Sequence, residues 1–284
     1  MLGWLVKNGF SNNSVFGGVY KLFLDSAEKR GIELQVKKTT ELLTDGKNFL
    51  EETVLPDFVL FYDKDIALAS EIEKMGVRVF NPSSAIEKCD NKILTALTLA
   101  QAGIPTPETV IVPMTYEGLG YTDLEFVSKI EEKLGYPFII KEAFGSLGGQ
   151  VYLTHSRNET LKIIEKIGHK RFLCQKFIES SQGRDIRVNV VGDRVVGCML
   201  RENKNDFRSN IAGGGKGSVV EINDEQKKIA IDACKAMGND FAGVDVLFGE
   251  NGKPLICEVN SNPQFIEMID CTGYILDYIL SELG

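Results

Sequence analysis

The stretch from Gly243 to Asn260 constrains the fold more tightly than any other part of the chain. It reads GVDVLFGENGKPLICEVN, two alternating apolar runs on either side of Asn251-Gly252. Asn-Gly between such runs is the strongest short-range signal for a two-residue hairpin turn, because both residues tolerate the positive φ the turn demands. With Asn251 and Gly252 as the turn, Glu250 pairs with Lys253, and counting outwards sets Asp245 directly opposite Glu258. Side chains alternate faces along a strand, so Asn260 shares the face of Glu258 and lies diagonally from Asp245. Two carboxylates facing each other across a sheet repel. A divalent cation between them reverses the sign of that interaction. Two carboxylates and an amide oxygen suit hard Mg²⁺, which keeps its other positions for water and phosphate oxygens. The competing account is a surface hairpin with two solvated acids. Val244, Val246, Leu247, Ile256 and Val259 argue against it, since they pack the hairpin on a core.

Upstream, the first 80 or so residues alternate short apolar runs with amphipathic stretches. GWLVKNG, ELQVKK, DFVLFY and VRVFNP read as strands, with helices over residues 19–30 and 64–75 between them, the pattern of an α/β layer on a largely parallel sheet. Asp90 is positioned to cap a helix running to Gln101, and Gly103, Pro105 and Pro107 end it. Helices are expected over residues 123–134, 157–166, 224–237 and 273–282, and strands over 137–141, 150–153 and 172–178. From Asp185 long alternating strands turn at Gly192-Asp193. The expected architecture is an N-terminal α/β layer followed by α+β material rich in antiparallel hairpins.

At 284 residues and 43% hydrophobic, the chain has material for roughly two domains with real cores. Its 32 basic residues against 40 acidic ones give a net charge of −8, which disfavours broad nucleic-acid binding but leaves room for a local phosphate pocket. No apolar run approaches the roughly 20 residues of a membrane helix. The opening MLGWLVKNGF lacks the pattern of a secretory signal, and a cytoplasmic protein is expected. The six cysteines form no CxxC pair and read as small core residues, as in FLCQKF and PLICEV. His155 and His169 offer no zinc ligand set with them, so any metal must be held by oxygen.

Three further segments bear on chemistry. In FIIKEAFGSLGGQVYL, Lys141 ends an apolar strand and Gly145, Gly148 and Gly149 crowd the loop that follows. Such a loop brings backbone N–H groups close to phosphate, and a neighbouring lysine adds a point charge; a plain flexible hairpin loop is the alternative. It lacks the GK[ST] ending of a P-loop, and so does the GGGKG of residues 213–217. In GRDIRVNV, Asp185 and Arg187 share one strand face, while Arg201 follows an apolar strand and Arg208, Ser209 and Asn210 precede the second glycine run. Arginine forks match carboxylate and phosphate oxygens, although a solvated, charge-laced sheet has the same spacing. Gln175, Lys176, Phe177, Ile178 and Glu179 fit either an edge whose backbone reads a purine or an ordinary strand.

Taken in order, NPSSAIEKCDNK, AGIPTPET, PFIIKEAFGSLGGQVYL, QKFIE, GRDIRVNVVGDRVVGCMLREN, DFRSN, GVDVLF and EVNSNP resemble the ATP-grasp superfamily, most closely its RimK-like carboxylate–amine ligases. The resemblance implies an ATP-grasp fold of a pre-grasp α/β layer (1–88), a central domain (89–178) and a C-terminal domain (179–284), with ATP between the last two. It implies that Lys92 and Lys141 contact phosphates while Gly145, Ser146, Gly148 and Gly149 close over them. Gln175 and the hinge Lys176, Phe177 and Ile178 would meet adenine, with Glu179 near adenine or ribose and Asp185, Arg187 and Ser209 also on the nucleotide. Asp245, Glu258 and Asn260 would hold Mg²⁺, with Mn²⁺ as an alternative. Arg201, Arg208 and Asn210 would act on the γ-phosphate and the acyl phosphate.

The implied reaction has two steps: a carboxylate takes the γ-phosphoryl group of ATP, and an amine then displaces phosphate to form an amide. Glutamate is the expected amino acid, and a protein tail, carrier protein, peptide or metabolite the expected acceptor. A homo-oligomer is expected because the family often forms one. The chain departs from the family at RSNIAGGGKG, where Ile211 and Ala212 replace basic or histidine residues, which bears on the identity of the second substrate. Rival classes are a D-alanine–D-alanine-type or carboxylating ATP-grasp enzyme and a non-catalytic nucleotide-binding module.

Overall fold

The computed structural model describes residues 1–11, 17–52, 54–146, 148–264 and 270–284. The initial alternation builds β1 (Leu2–Lys7), α1 (Gly17–Glu28), β2 (Glu33–Lys38), β3 (Phe58–Tyr62), α2 (Ile66–Lys74) and β4 (Arg78–Phe80). The strands pair in parallel in the order β2-β1-β3-β4. Every residue of β3 is buried, as its unbroken FVLFY run requires of a strand covered on both faces.

The helix expected to start at Asp90 is in fact the second of two. Helix α3 (Ser83–Asp90) ends there, and Asp90 forms an ion pair with Lys64. Asn91, one residue on, caps α4 (Lys92–Gln101), its side chain accepting the N–H groups of Ile93 and Leu94. Asp and Asn cap equally well, so adjacent candidates cannot be ranked by type. The correction makes Lys92 the first residue of a helix.

The chain continues through β5 (Thr109–Ile111), α5 (Glu125–Leu134), β6 (Phe138–Glu142), β7 (Val151–Thr154), α6 (Arg157–Ile167) and β8 (Phe172–Lys176). These strands form an antiparallel sheet in the order β5-β8-β6-β7. Phe138, Ile140, Phe172 and Cys174 pack with Val127, Ile130 and Ile164 of the two helices. The alternate residues Ile139, Lys141, Leu173 and Gln175 therefore belong to the opposite face.

A third sheet contains β9 (Arg184–Val191), β10 (Arg194–Glu202), β11 (Lys216–Val219), β12 (Phe241–Phe248) and β13 (Pro254–Asn260), with α7 (Asp224–Met237) between β11 and β12. It is antiparallel in the order β11-β10-β9-β12-β13. Ile186, Val188, Val244, Val246 and Ile256 pack with Ile229, Ala233 and Met237 of α7. The final helix, α8 (Thr272–Leu283), instead places Ile275, Leu276 and Ile279 in the core of the first sheet with Leu5, Phe23 and Phe58. Each such buried side chain is worth roughly 1.5–3 kcal/mol. Among the described residues no helix is long and apolar enough to cross a membrane.

The β12–β13 hairpin differs from expectation at its tip. Phe248 pairs with Pro254, and a five-residue loop replaces the two-residue turn, with Gly249 N–H donating to the Lys253 carbonyl. Asn251 does adopt the positive φ of 56° that its turn chemistry predicted. That longer loop shifts the register by one residue, and a bulge between Val246 and Asp245 shifts it back. Asp245 consequently pairs with Glu258 after all.

Candidate active site

The alternation that turns Ile186 and Val188 to α7 leaves Asp185, Arg187 and Asn189 on the other face of β9. Register sets Arg201 beside Asp185, Arg187 beside Asp245, and Asp245 beside Glu258. Arg201 donates to Asp185 through Nε (2.7 Å) and Nη2 (2.5 Å), and its Nη2 also lies 2.9 Å from Asp245 Oδ1. Arg187 holds both oxygens of Asp245, with Nη2 at 3.1 Å from Oδ2. Asp185, Arg201 and Asp245 retain 6%, 6% and 4% of their exposure, so this cluster of two carboxylates and two guanidiniums is nearly out of water.

Pairing is what makes that burial tolerable. Burial acts to raise Asp245, but Arg187 and Arg201 outweigh it and hold the carboxyl below its ordinary value. Asp185 moves the other way: burial and the charge of Asp245 push it up, although Arg201 and Ser209 both bond to it. Burial would likewise lower Arg201, yet Asp245 and Asp185 together raise it.

The glycine loop at 145–149 is tied down from both sides. Lys92 Nζ donates to the Gly145 carbonyl at 2.7 Å and stands 3.6 Å from Glu258 Oε1. Arg208 Nη1 donates to the Gly148 carbonyl at 2.6 Å while Asp206 holds its Nε and Nη2. Gly148 has φ +74°, and a Cβ there would lie 3.1 Å from Asn210 Oδ1, so Asn210 abuts the loop. Gly149 N–H bonds back to the Ser146 carbonyl at 3.3 Å.

Lys141, Lys92, Gln175 and Glu258 line a narrow cleft between α4, β6, β8 and β13. There Lys141 Nζ donates to Cys257 Sγ at 3.4 Å. Cys257, read from the sequence as a small core residue, is thus a cleft residue. Burial pushes its thiol up in spite of Lys141, which keeps it protonated. No pattern in PLICEV could have set it apart from a core cysteine, because its position depends on the bulge.

At the end of β8 the hinge residues separate. Phe177 and Glu179 line an open cavity of about 480 Å³ with Pro137, Leu153, His155 and Phe207. Lys176 is exposed and its N–H bonds to the Glu108 carbonyl, while Gln175 is buried with Nε2 on Thr109 Oγ1. Neither Lys176 nor Ile178 lines that cavity. Leu153 pairs with Ile139, two residues and about 7 Å along the strand from Lys141. A cavity of ligand size and a cationic cleft therefore lie end to end on one sheet face.

Residues 89–279 match the RimK-like ATP-grasp domain. The chain belongs to the RimK-like ATP-grasp family. It is 34% identical over 228 residues to beta-citrylglutamate synthase B of Danio rerio, covering 78% of this chain and 55% of that protein. It is also 34% identical over 246 residues to N-acetylaspartylglutamate synthase A of Homo sapiens, covering 81% of this chain and 61% of that one. The chain thus spans little more than half the length of these relatives. Among solved structures, the ATP-grasp ligase PsnB, in complex with a phosphomimetic variant of its minimal precursor, Mg and ADP, aligns with a TM-score of 0.72 at 19% identity over 99% of this chain and 98% of that one. That likeness shows the ATP-grasp fold.

The oxygen donors of this family member suit a hard divalent cation. Glu258 is part-exposed, and a lysine at 3.6 Å is its ion-pair partner among the described residues. Asn260 uses its Nδ2 on the Gly243 carbonyl (3.3 Å), which leaves Oδ1 as an acceptor. Asp245 is more committed: Oδ1 receives both guanidiniums, whereas Oδ2 takes a single bond from Arg187. A carboxylate has about four lone-pair sites, so capacity for a cation remains.

Proposed function

We propose that this chain is an ATP-dependent carboxylate–amine ligase that joins the amino group of glutamate to a second substrate's carboxylate through an acyl phosphate. The observation that carries this reading is that Lys92 and Lys141 line one cleft with Glu258, that Arg187 and Arg201 hold Asp245, the register partner of Glu258, and that Arg208 ties the glycine loop that Lys92 also holds. Each of these cations is held by a carbonyl, thiol or carboxylate of the chain itself. ATP and a carboxylate substrate are both anionic, so bringing them within bonding distance is chiefly a matter of neutralising charge.

In this reading adenine enters the cavity beside Phe177, with Glu179 at the ribose. Lys92, Lys141 and the glycine loop take the phosphates, and Asp185, Arg187 and Ser209 complete the nucleotide site. Asp245, Glu258 and Asn260 hold Mg²⁺, which when bound supplies charge neutralisation to phosphate oxygens. Arg201, Arg208 and Asn210 orient the γ-phosphate. A carboxylate oxygen bonds to the γ-phosphorus as the bond to ADP breaks. The amine nitrogen then bonds to the acyl carbon, inorganic phosphate leaves, and the amine's proton passes to solvent. Closure of the glycine loop protects the acyl phosphate from water.

The names of both relatives place glutamate in the product, which supports glutamate as the amine. They also nominate citrate and N-acetylaspartate as the first carboxylates to try. The test is ADP release from Mg-ATP with L-glutamate and either of these, or a peptide with a free carboxyl terminus, followed by mass spectrometry. ADP formed in step with one amide product is expected. Tight nucleotide binding without ADP release for any pair would overturn the reading in favour of a nucleotide-binding module.

A further inference from the structure

A separate group of polar atoms lies where the first sheet meets the segment after β13. Tyr62 Oη donates to the Pro263 carbonyl at 2.6 Å, and Asn262 Nδ2 donates to the Asp63 carbonyl at 2.9 Å. A Cβ on Gly243 would meet Pro263 Cβ at 2.8 Å and Arg187 Nη1 at 3.0 Å, so this junction sits against the guanidinium that holds Asp245.

Among the described residues, three acceptors near this junction lack partners. Asp63 retains 8% of its exposure; its Oδ1 accepts the N–H groups of Lys64 and Asp65, but its Oδ2 accepts from no described residue. Asn262 Oδ1 is buried and unpartnered too. So is the Oδ1 of Asn189, which pairs in register with Gly243 on the Arg187 face. Native proteins leave few such atoms without a donor, so three close to one junction call for an explanation. Of the nearby cations, Lys64 is engaged with Asp90 and Lys7 stands over the Tyr20 ring at 5.4 Å.

Oxygens that only accept, one of them on a carboxylate, select a ligand that donates and is positively charged. They would repel a phosphate or a carboxylate. The neighbouring Tyr20 senses the same carboxylate: burial together with the charge of Asp63 pushes its phenol up to about 12. An amino acid arrives with a donating, positively charged group.

We propose that Asp63 Oδ2 and Asn262 Oδ1 form the subsite that binds the α-ammonium group of the amino-acid substrate. This rests on the ligase reading for the identity of the substrate, and it extends that reading by placing the amine at the junction between the first sheet and the post-β13 segment. Asp63 and Asn262 act here as binding and specificity residues.

The test compares amino acids with analogues that lack the amino group: L-glutamate with glutarate, L-aspartate with succinate, and glycine with acetate. Binding is measured by calorimetry with Mg-ADP present, on the wild-type chain and on Asp63→Asn. That variant keeps Oδ1 for the Lys64 and Asp65 N–H groups, and Asn262→Ala provides a second probe. The wild type should prefer one amino acid over its analogue by about tenfold or more, the size of a hydrogen bond to a charged group. Asp63→Asn should reduce the preference to within about twofold while leaving analogue affinity unchanged, and Asn262→Ala should reduce it in part. A preference that survives in Asp63→Asn, or a wild type with none, overturns the subsite. If the preference collapses as expected while the wild type releases no ADP, the subsite stands and the ligase reading falls.

Discussion

Replacing Arg201 with methionine isolates the electrostatics of the buried charge cluster. Arg201 serves both Asp185 and Asp245, and it is the guanidinium that Asp185 shares. Removing one side of a buried ion pair costs about 3–5 kcal/mol. Acid–base chemistry sets a ceiling on that cost, because Asp185 can take up a proton rather than remain charged. From an ordinary value of 3.8, holding that proton against solvent costs about 4 kcal/mol at pH 7 and about 1.4 kcal/mol less for each pH unit below. Asp245 keeps Arg187 and stays ionised. The folded variant thus binds one more proton than its unfolded chain between about pH 4 and 7, and its stability falls as pH rises. Because Asp185 is already raised in the wild type, these figures are upper bounds. Urea unfolding at pH 5, 6, 7 and 8 should show a deficit relative to wild type of at most about 4 kcal/mol at pH 7, shrinking to at most about 1.5 kcal/mol at pH 5. Arg201→Lys, which keeps the charge, should show a smaller deficit with a shallower slope. A deficit independent of pH would refute this account of the cluster.

Glu258→Gln should lower Mg-dependent turnover by at least the ~10–100-fold that follows loss of even an outer partner of a metal site. The variant should melt normally, and undiminished turnover would exclude Glu258 as a metal ligand. Arg208→Ala removes the tie to Gly148 and should reduce the rate of ADP formation by roughly 100-fold, as for other lost charge-stabilising donors, with a much smaller change in ATP affinity. Equal losses in rate and affinity would contradict that role. Asp240 titrates in a different place, between the first sheet and α8. Burial, opposed by Arg78, raises it from 3.8 to about 6, and its Oδ2 has no partner among the described residues. Its stabilising contribution is therefore present below about pH 4 and lost as pH rises through about 6. Asp240→Asn should gain on wild type across that window by up to about 3 kcal/mol in chemical denaturation, less what the Arg78 contact contributes. Parallel stability curves from pH 4 to 7.5 would contradict it.

Local rules reached some of these features and not others. The parallel order of β1 to β4, the long β9–β10 hairpin and the span of α7 follow from periodicity and turn chemistry within a few dozen residues. The pairing of Asp245 with Glu258 was also legible, although by a route the structure corrects: the loop is longer than Asn-Gly suggests, and the bulge at Cys257 compensates. Helix α3 escaped because Pro82 at its start makes no side-chain cap bond and Asp90 resembles a cap more than an ending. Strand β11 escaped because KGSV has no apolar alternation. Lys92, Lys141, Arg201 and Arg208 were picked out as candidates, but not their present partners. Arg187 meets Asp245 from 58 residues away, and Arg208 reaches Gly148 from 60. Such pairings depend on which strands become neighbours, and no window of sequence holds that information. Asp63 and Asn262 gave no signal for the same reason, since their proximity exists only once two sheets have met.

The packing of α8 on the first sheet has a bearing on synthesis. Residues 2–80 leave the ribosome well before α8 and carry the strands and helices of a local α/β layer. Yet Leu5, Phe23 and Phe58 share a core with Ile275, Leu276 and Ile279, and Arg30 is bound to Asp277 at 2.6 Å. At ~5–20 residues per second, the layer waits on the order of 10–50 s for the helix that covers it. During that interval an apolar face lies open to chaperones and to neighbouring nascent chains. The layer is thus finished only when α8 arrives, and translation speed between β4 and α8 bears on how much of the product folds.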